Sequence, residues 1–320
     1  MLSRRKLVAA SLALAFPAKA QSWPSKPIKL VVPFAPGGTT DVIGRVIGEY
    51  LGRRLGQNIV VENRPGKGAT IGASQVAKAA PDGYTLVISN VAAMAVSPTL
   101  YGDLDYDPVR DFTHITLASF NPSVLVVHPD FVARTLADYI AYARANPDKL
   151  AYATAGPGSS NHILGVLLAQ VTGTRLVHVP YRGAGPAMQD TIAGIVPSML
   201  DSLPSAAPHI KAGKVRALAV SGEARNAAFP DVPTMKEQGF PELVSYSWFG
   251  LSGPAKLPAP IVERIAREMQ AVLKDPDVVR RWQDIGAESS TRTPAEFTEF
   301  VKAEVAKWAP AIKASGAKPE

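Results

Sequence analysis

The stretch "VVPFAPGGTTDVIGRVIGEYLG", residues 31–52, decides the fold. A β-branched run ends at Pro33-Phe34. Gly37 and Gly38 follow, then Thr39, Thr40 and Asp41, and then apolar residues at helical spacing: Val42, Ile43, Val46, Ile47, Tyr50, Leu51 and Leu55. This is a strand, a tight turn and a helix. Glycine costs backbone entropy, so a pair of them needs a reason. In an open α/β sheet, ligands bind beyond the carboxyl ends of the strands. There a Gly-rich turn lets backbone N–H groups approach a guest, and the helix start adds unpaired donors and a positive dipole end. Taken alone, the stretch reads equally well as a capped turn, with Thr40 capping the helix and Asp41 offsetting the dipole.

The same grammar runs outward in both directions. Strands are expected over 28–34, 59–62, 85–89, 124–127, 151–155, 176–179, 195–200, 215–220 and 243–251. Helices are expected over 41–55, 70–80, 135–145, 163–171, 187–193, 206–211, 261–273 and 278–284, with a last one from Thr293. Thr293, Pro294 and Glu296 form a strong helix start, and Thr135 with Asp138 forms another. Alternating strands and helices predict an α/β fold with parallel βαβ units. We expect two α/β halves, residues 21–120 plus 244–320 and residues 121–243, with crossovers near 117–123 and 221–244.

Three further stretches bear on chemistry. "ATAGPGSSNHILG", residues 153–165, repeats the layout of the first: strand, glycines, hydroxyls, helix. Two such loops, one in each half, suggest helix N-termini facing across a cleft and donating to one ligand, which capping alone does not explain. "VPYRGAGPAMQD", residues 179–190, carries Tyr181 and Arg182, and an arginine there can pair a carboxylate or stay solvated. "SMLDSLPS", residues 198–205, puts Asp201 at a strand end, where it can bind an amine or hydroxyl, orient a loop or cap a helix.

Composition excludes several classes. The 320 residues contain no cysteine, so disulfides, thiolate metal sites and cysteine nucleophiles are ruled out. The five histidines, His114, His128, His162, His178 and His209, lack metal-ligand spacing. Neither loop is a dinucleotide fingerprint. "RPGKGAT", residues 64–70, lacks the hydroxyl after Lys67 and the upstream glycine of a P-loop. A Ser159–His162–Asp201 triad can be drawn on paper, but no strained nucleophile turn is visible. Residues 1–20, "MLSRRKLVAASLALAFPAKA", have a basic start, a short apolar stretch and an A-x-A site, the anatomy of an export signal by the Sec or twin-arginine route, with Gln21 first after cleavage. The formal charge is +7, of which Arg4, Arg5, Lys6 and Lys19 account for four, leaving +3. No basic cluster is interleaved with aromatics, so nucleic acid is not an expected partner, whereas anionic small molecules suit the balance.

Taken together, "WPSKPIKLVVPFAPGGTTDVIGR", "VENRPGKGATIGA", "PDGYTLVISN", "DFTHIT", "AYATAGPGSSNH", "VPYRGAGPAMQD" and "FPDVPTMKEQGFP" resemble the Bug family, periplasmic receptors of tripartite tricarboxylate transporters. The resemblance runs from Trp23 to the C-terminal helix. It implies a two-lobed Venus-flytrap fold of the type II binding-protein class, each lobe a mostly parallel sheet flanked by helices. It also implies a periplasmic, non-enzymatic monomer without cofactor or metal, and membrane transporter subunits as partners. The implied ligand is a small carboxylate, held by loops 34–41 and 154–162 with help from ordered water. The site residues so implied are Phe34, Ala35, Gly37, Gly38, Thr39, Thr40, Asp41, Asn90, Thr154, Gly158, Ser159, Ser160, Asn161, His162, Tyr181 and Asp201. Pro197 and Leu200 depart from the family pattern, and "NVAAMAVSPTLY" lacks a familiar asparagine near Val96; these departures bear on the ligand's far end. The rival readings are an exported hydrolase and a periplasmic ligand-sensing partner of a membrane sensor.

Overall fold

The computed structural model describes residues 23–315. The export signal expected over residues 1–20, and Gln21 after it, lie outside the described residues.

The chain opens with β1 (Ile28–Val32), α1 (Thr39–Leu55), β2 (Ile59–Asn63), α2 (Thr70–Ala77) and β3 (Thr85–Asn90). A π-helical turn, Ala92–Val96, runs into α3 (Ser97–Tyr101). Then come β4 (Phe112–Val127), α4 (Leu136–Ala145), β5 (Ala151–Thr154), α5 (Ser160–Thr172), β6 (Val177–Pro180) and α6 (Ala184–Ile192). After these are β7 (Ser198–Ser202), α7 (Leu203–Lys211), β8 (Arg216–Val220) and β9 (Tyr246–Pro254). The tail is α8 (Ala259–Leu273), α9 (Pro276–Asp284), β10 (Glu288–Ser289) and α10 (Pro294–Ser315).

The strands follow the order β2-β1-β3-β9-β4-β7-β5-β6, with β8 and β10 also paired to β4. The outer groups are parallel: β1 with β2 and β3, and β5 with β6 and β7. The strands that join them run antiparallel. β4 serves both groups. Its residues Phe112 to Pro122 pair with β9, Ser123 to Val127 pair with β7, and Val124 to Val127 also pair with β8. The change of partner falls at Pro122, which has no N–H to give a ladder.

The inner strands β1, β3 and β7 are buried on both faces, and β1 accordingly reads as an apolar run, whereas the edge strands β2 and β6 are only partly covered. In β1, Leu30 and Val32 pack with Ile43, Ile47 and Leu51 of α1 and with Ile265 and Met269 of α8, while Val31 faces Met94 and the α10 residues Phe297 and Val301. In β4, Leu125 and Val127 pack with Tyr139 of α4 and Leu168 of α5, whereas Val124 and Val126 face Ala187 of α6 and Ala206 of α7. The last helix starts as its sequence predicts: Thr293 N–H donates to Glu296, and Glu296 N–H donates to the Thr293 hydroxyl.

Two expectations need correction. The turn-like segment 117–123 lies inside one continuous strand, so the chain crosses there by changing ladder partners and makes no loop. Residues 92–101, given no element from sequence, are helical, because the apolar run Ala92–Val96 is buried beneath α10.

Candidate functional site

β1 and β5 end on the same side of their groups, and the helix after each turns back from a Gly-rich loop. The loops 33–38 and 155–159 therefore bring the first turns of α1 and α5 to one cavity. Phe34, Gly38, Thr39 and Thr40 line it from the first loop, and Ala155, Ser159, Ser160 and Asn161 from the second. Asn90, Val91 and Ala92 close it beyond β3, with Ala184, Asp201, Ser202 and Phe249 completing the wall. The non-atom space, with its open mouth included, is about 410 Å³.

The donors are arranged for an anion. Helix starts leave N–H groups without intrahelical partners. Among the described residues the amides of Gly38, Thr39 and Thr40, and of Ser160 and Asn161, make no hydrogen bond. Thr40 lines the same space. Asn161 accepts from the Ser123 hydroxyl at 3.1 Å through its side-chain oxygen, which fixes the amide in the wall. Among the described residues no Lys, Arg or His lines the cavity.

Other expected site residues stand behind this lining and hold it. Asp41 is 4% exposed. It accepts from Gly37 N–H at 3.0 Å, from Arg45 at 3.0 Å and from the Asn63 side-chain amide at 2.9 Å. Burial works against the charge of Asp41, yet these donors win and hold its carboxyl below the usual range. Asn63 also donates to the Phe34 carbonyl at 3.0 Å, so Asn63 and Asp41 together pin the first loop. In the second loop, Thr154 pairs with His178 at 2.7 Å and accepts from Gly156 N–H. Gly158 N–H donates to the His162 ring at 3.2 Å, and His162 N–H donates to the Ser159 hydroxyl. The His162 and His178 rings stack at 4.2 Å. Burial lowers them to about 4 and about 3, so both are neutral at pH 7.

Asp201 is buried in the wall, where its carboxylate accepts from the Ser205 hydroxyl at 2.6 Å and from Ser202 N–H at 2.8 Å. Burial outweighs these two donors and pushes its carboxyl up to about 7. The paper triad is not assembled: the Ser159 hydroxyl takes the backbone N–H of His162, the His162 ring takes that of Gly158, and Asp201 bonds only with Ser205 and Ser202.

The two strand groups touch across the cavity. Ala35 N–H donates to the Arg182 carbonyl at 3.2 Å, and the Thr39 and Ser205 hydroxyls lie 2.9 Å apart. The glycines of "VPYRGAGP" serve this approach: a Cβ on Gly185 would run into the Pro36 carbonyl. Tyr181 lines an adjoining, more open space that shares Phe34 and Ala155 with the cavity and carries Lys67 and Arg182 at its edge. Its hydroxyl donates to Asp190 at 2.6 Å, and burial together with that carboxylate raises it to about 12. Sequence reasoning missed Val91, Ala92, Ala184 and Phe249, whose apolar side chains carry no signal distinguishing a cavity wall from core.

Two strand–helix turns meeting over one cavity, on parallel strand groups joined by crossing strands, give the α/β fold found in periplasmic binding proteins. Residues 43–317 match the family described as tripartite tricarboxylate transporter family receptor. The chain belongs to this family of solute-binding receptors. It is 36% identical over 310 residues to protein BugT of Bordetella pertussis, covering 97% of this chain and 95% of that one. Among solved structures, MatC from Rhodopseudomonas palustris with bound malate is 34% identical, with a TM-score of 0.86, covering 90% of this chain and 99% of that one. R. palustris Rpa4515 with adipate is 35% identical, with a TM-score of 0.90, covering 93% and 100%. No helix among the described residues is long and apolar enough to cross a membrane.

Proposed function

We propose that this receptor captures a small carboxylate between two lobes and hands it to the membrane subunits of a tripartite tricarboxylate-type transporter. The observation that carries this reading is the convergence of unpaired amides from both loops on one cavity that, among the described residues, no cationic side chain lines. Backbone donors of that kind bind an anion without a permanent countercharge. The malate and adipate bound by MatC and Rpa4515 support a carboxylate as the class of guest.

The lobes in this reading are residues 21–120 plus 244–320 and residues 121–243. Support comes from β4, which changes ladder partner at Pro122, and from the return of the chain into β9 at Tyr246. The guest enters when the contacts of Ala35 with Arg182 and of Thr39 with Ser205 part, and hinge closure re-forms them over it. The chain is exported by the Sec or twin-arginine route, acts as a monomer in the periplasm and returns its guest unchanged.

A thermal-shift screen of mono-, di- and tricarboxylates tests the proposal. A guest at about a hundred times its Kd stabilises by roughly 2.7 kcal/mol. Replacing Ser159 and Ser160 together by phenylalanine should abolish the shift while the fold persists. A receptor stabilised by no carboxylate, or a double variant that binds as before, contradicts it.

A further inference from the structure

Among the described residues the only ionisable side chain lining the cavity is itself an acid, Asp201. It is 1% exposed. Its donors are one hydroxyl and one backbone amide, and the Ser205 hydroxyl that serves it also lies 2.9 Å from that of Thr39 in the opposite loop. The ionisable groups on the elements packed against β7 are His114 on β4, Tyr139 on α4, Tyr152 on β5, His162 on α5, Asp190 on α6, and His209 and Lys211 on α7. Asp41 lies across the cavity at the start of α1. None of these lines the cavity, and Asp201 forms no hydrogen bond or ion pair with any of them. An anion entering this space meets a second carboxyl group with no cation between them. Two carboxylates sharing a dry site do not both stay ionised.

We propose that capture is coupled to a proton: as the guest's carboxylate enters, Asp201 takes up one proton and holds it while the guest is bound. The inference rests on the carboxylate reading of the cavity given above. Protonation turns a repelling neighbour into a hydrogen-bond donor, and the proton comes from solvent, so charge balances with one anion and one proton bound together. Burial already brings the empty receptor's carboxyl up to about 7, so the coupling acts at neutral and alkaline pH. The sign follows from linkage: a proton taken up on binding makes affinity fall as pH rises, by up to about tenfold per pH unit.

Isothermal titration of the full mature receptor with malate and with adipate tests this at pH 6, 7, 8 and 9, in HEPES and in Tris. These buffers differ in ionisation heat, so the difference in binding heat counts protons. The expected result is uptake approaching one proton at pH 8, with affinity falling from pH 7 to pH 9 for both guests. Asp201→Asn should bind with an affinity that is flat across that range. Wild-type binding without proton uptake overturns the inference and leaves the carboxylate site intact, and the wild-type measurement does not depend on how the variant folds. Loss of affinity in Asp201→Asn at every pH, confined to malate, also overturns it, since Asp201 would then accept from a guest hydroxyl as an anion. No binding of any carboxylate at any pH overturns the receptor reading and this inference with it.

Discussion

Gly185→Ala separates closure from folding. Gly185 lies in the first turn of α6, where alanine is the better helix former by about 1 kcal/mol. On local grounds the change should leave the melting temperature of the empty receptor unchanged or slightly raised. Across the cavity the outcome differs. The added Cβ would stand 3.2 Å from the Pro36 carbonyl carbon and 3.5 Å from Gly37 Cα, with the Pro36 carbonyl oxygen nearer still. These are backbone atoms, so no side chain can rotate away. The two loops must separate by about 1 Å to restore ordinary contact. That movement strains the Ala35 to Arg182 backbone hydrogen bond, already 3.2 Å long, and draws the two sets of amides apart. Losing one such bond and weakening one guest contact costs about 1–3 kcal/mol, or roughly a five- to 150-fold rise in Kd. Titration calorimetry with a bound carboxylate, alongside thermal melting of the empty protein, measures both sides. Unchanged affinity would show that the loops do not need to meet, and the reasoning would fail.

Further outcomes follow from the same geometry. Asn63→Ala removes the donor to Phe34 and Asp41, so the first loop should loosen and Kd should rise about three- to tenfold, read by calorimetry. Exchanging both Lys67 and Arg182 for glutamine should slow carboxylate association at low salt and flatten its salt dependence, with dissociation little changed, read by stopped flow. The neutral, stacked His162 and His178 have folded pKa values below the free histidine value. Their contribution to stability is therefore full above about pH 6.5 and is lost as pH falls toward 4, because the unfolded chain takes up protons first. Asp201, shifted upward, acts in the opposite direction over part of that range, so the check is the difference between wild type and His178→Gln in urea unfolding between pH 7 and pH 4.5.

Much of this architecture was legible because its signals are local. Glycines and hydroxyls at a strand end announce a turn and a helix start, and the near-continuous apolar run of β1 follows from burial on both faces. The long strand β4 was not legible beyond Val124–Val127. Its first part carries His114, Ser119, Asn121 and Pro122, polar or turn-forming types that are buried here because β9 and α10 cover them. The helical segment 92–101 was equally silent, since a short alanine-rich run fits buried helix or strand alike. At the site, the loops were readable and their supports were not. Asp41 and His162 belong to the motifs, but only the folded chain reveals that they brace the amides from behind. Phe249 and Ala184 reach the cavity from elements far away in sequence, so spacing gives no hint of them.

The claim that both loops grip one guest is tested most directly by amide shifts. In ¹⁵N-labelled receptor titrated with a carboxylate that raises its melting temperature, the amides of Thr39 and Thr40 and those of Ser160 and Asn161 should move together along one saturation curve. Movement confined to one loop, or two curves with different midpoints, would contradict the account.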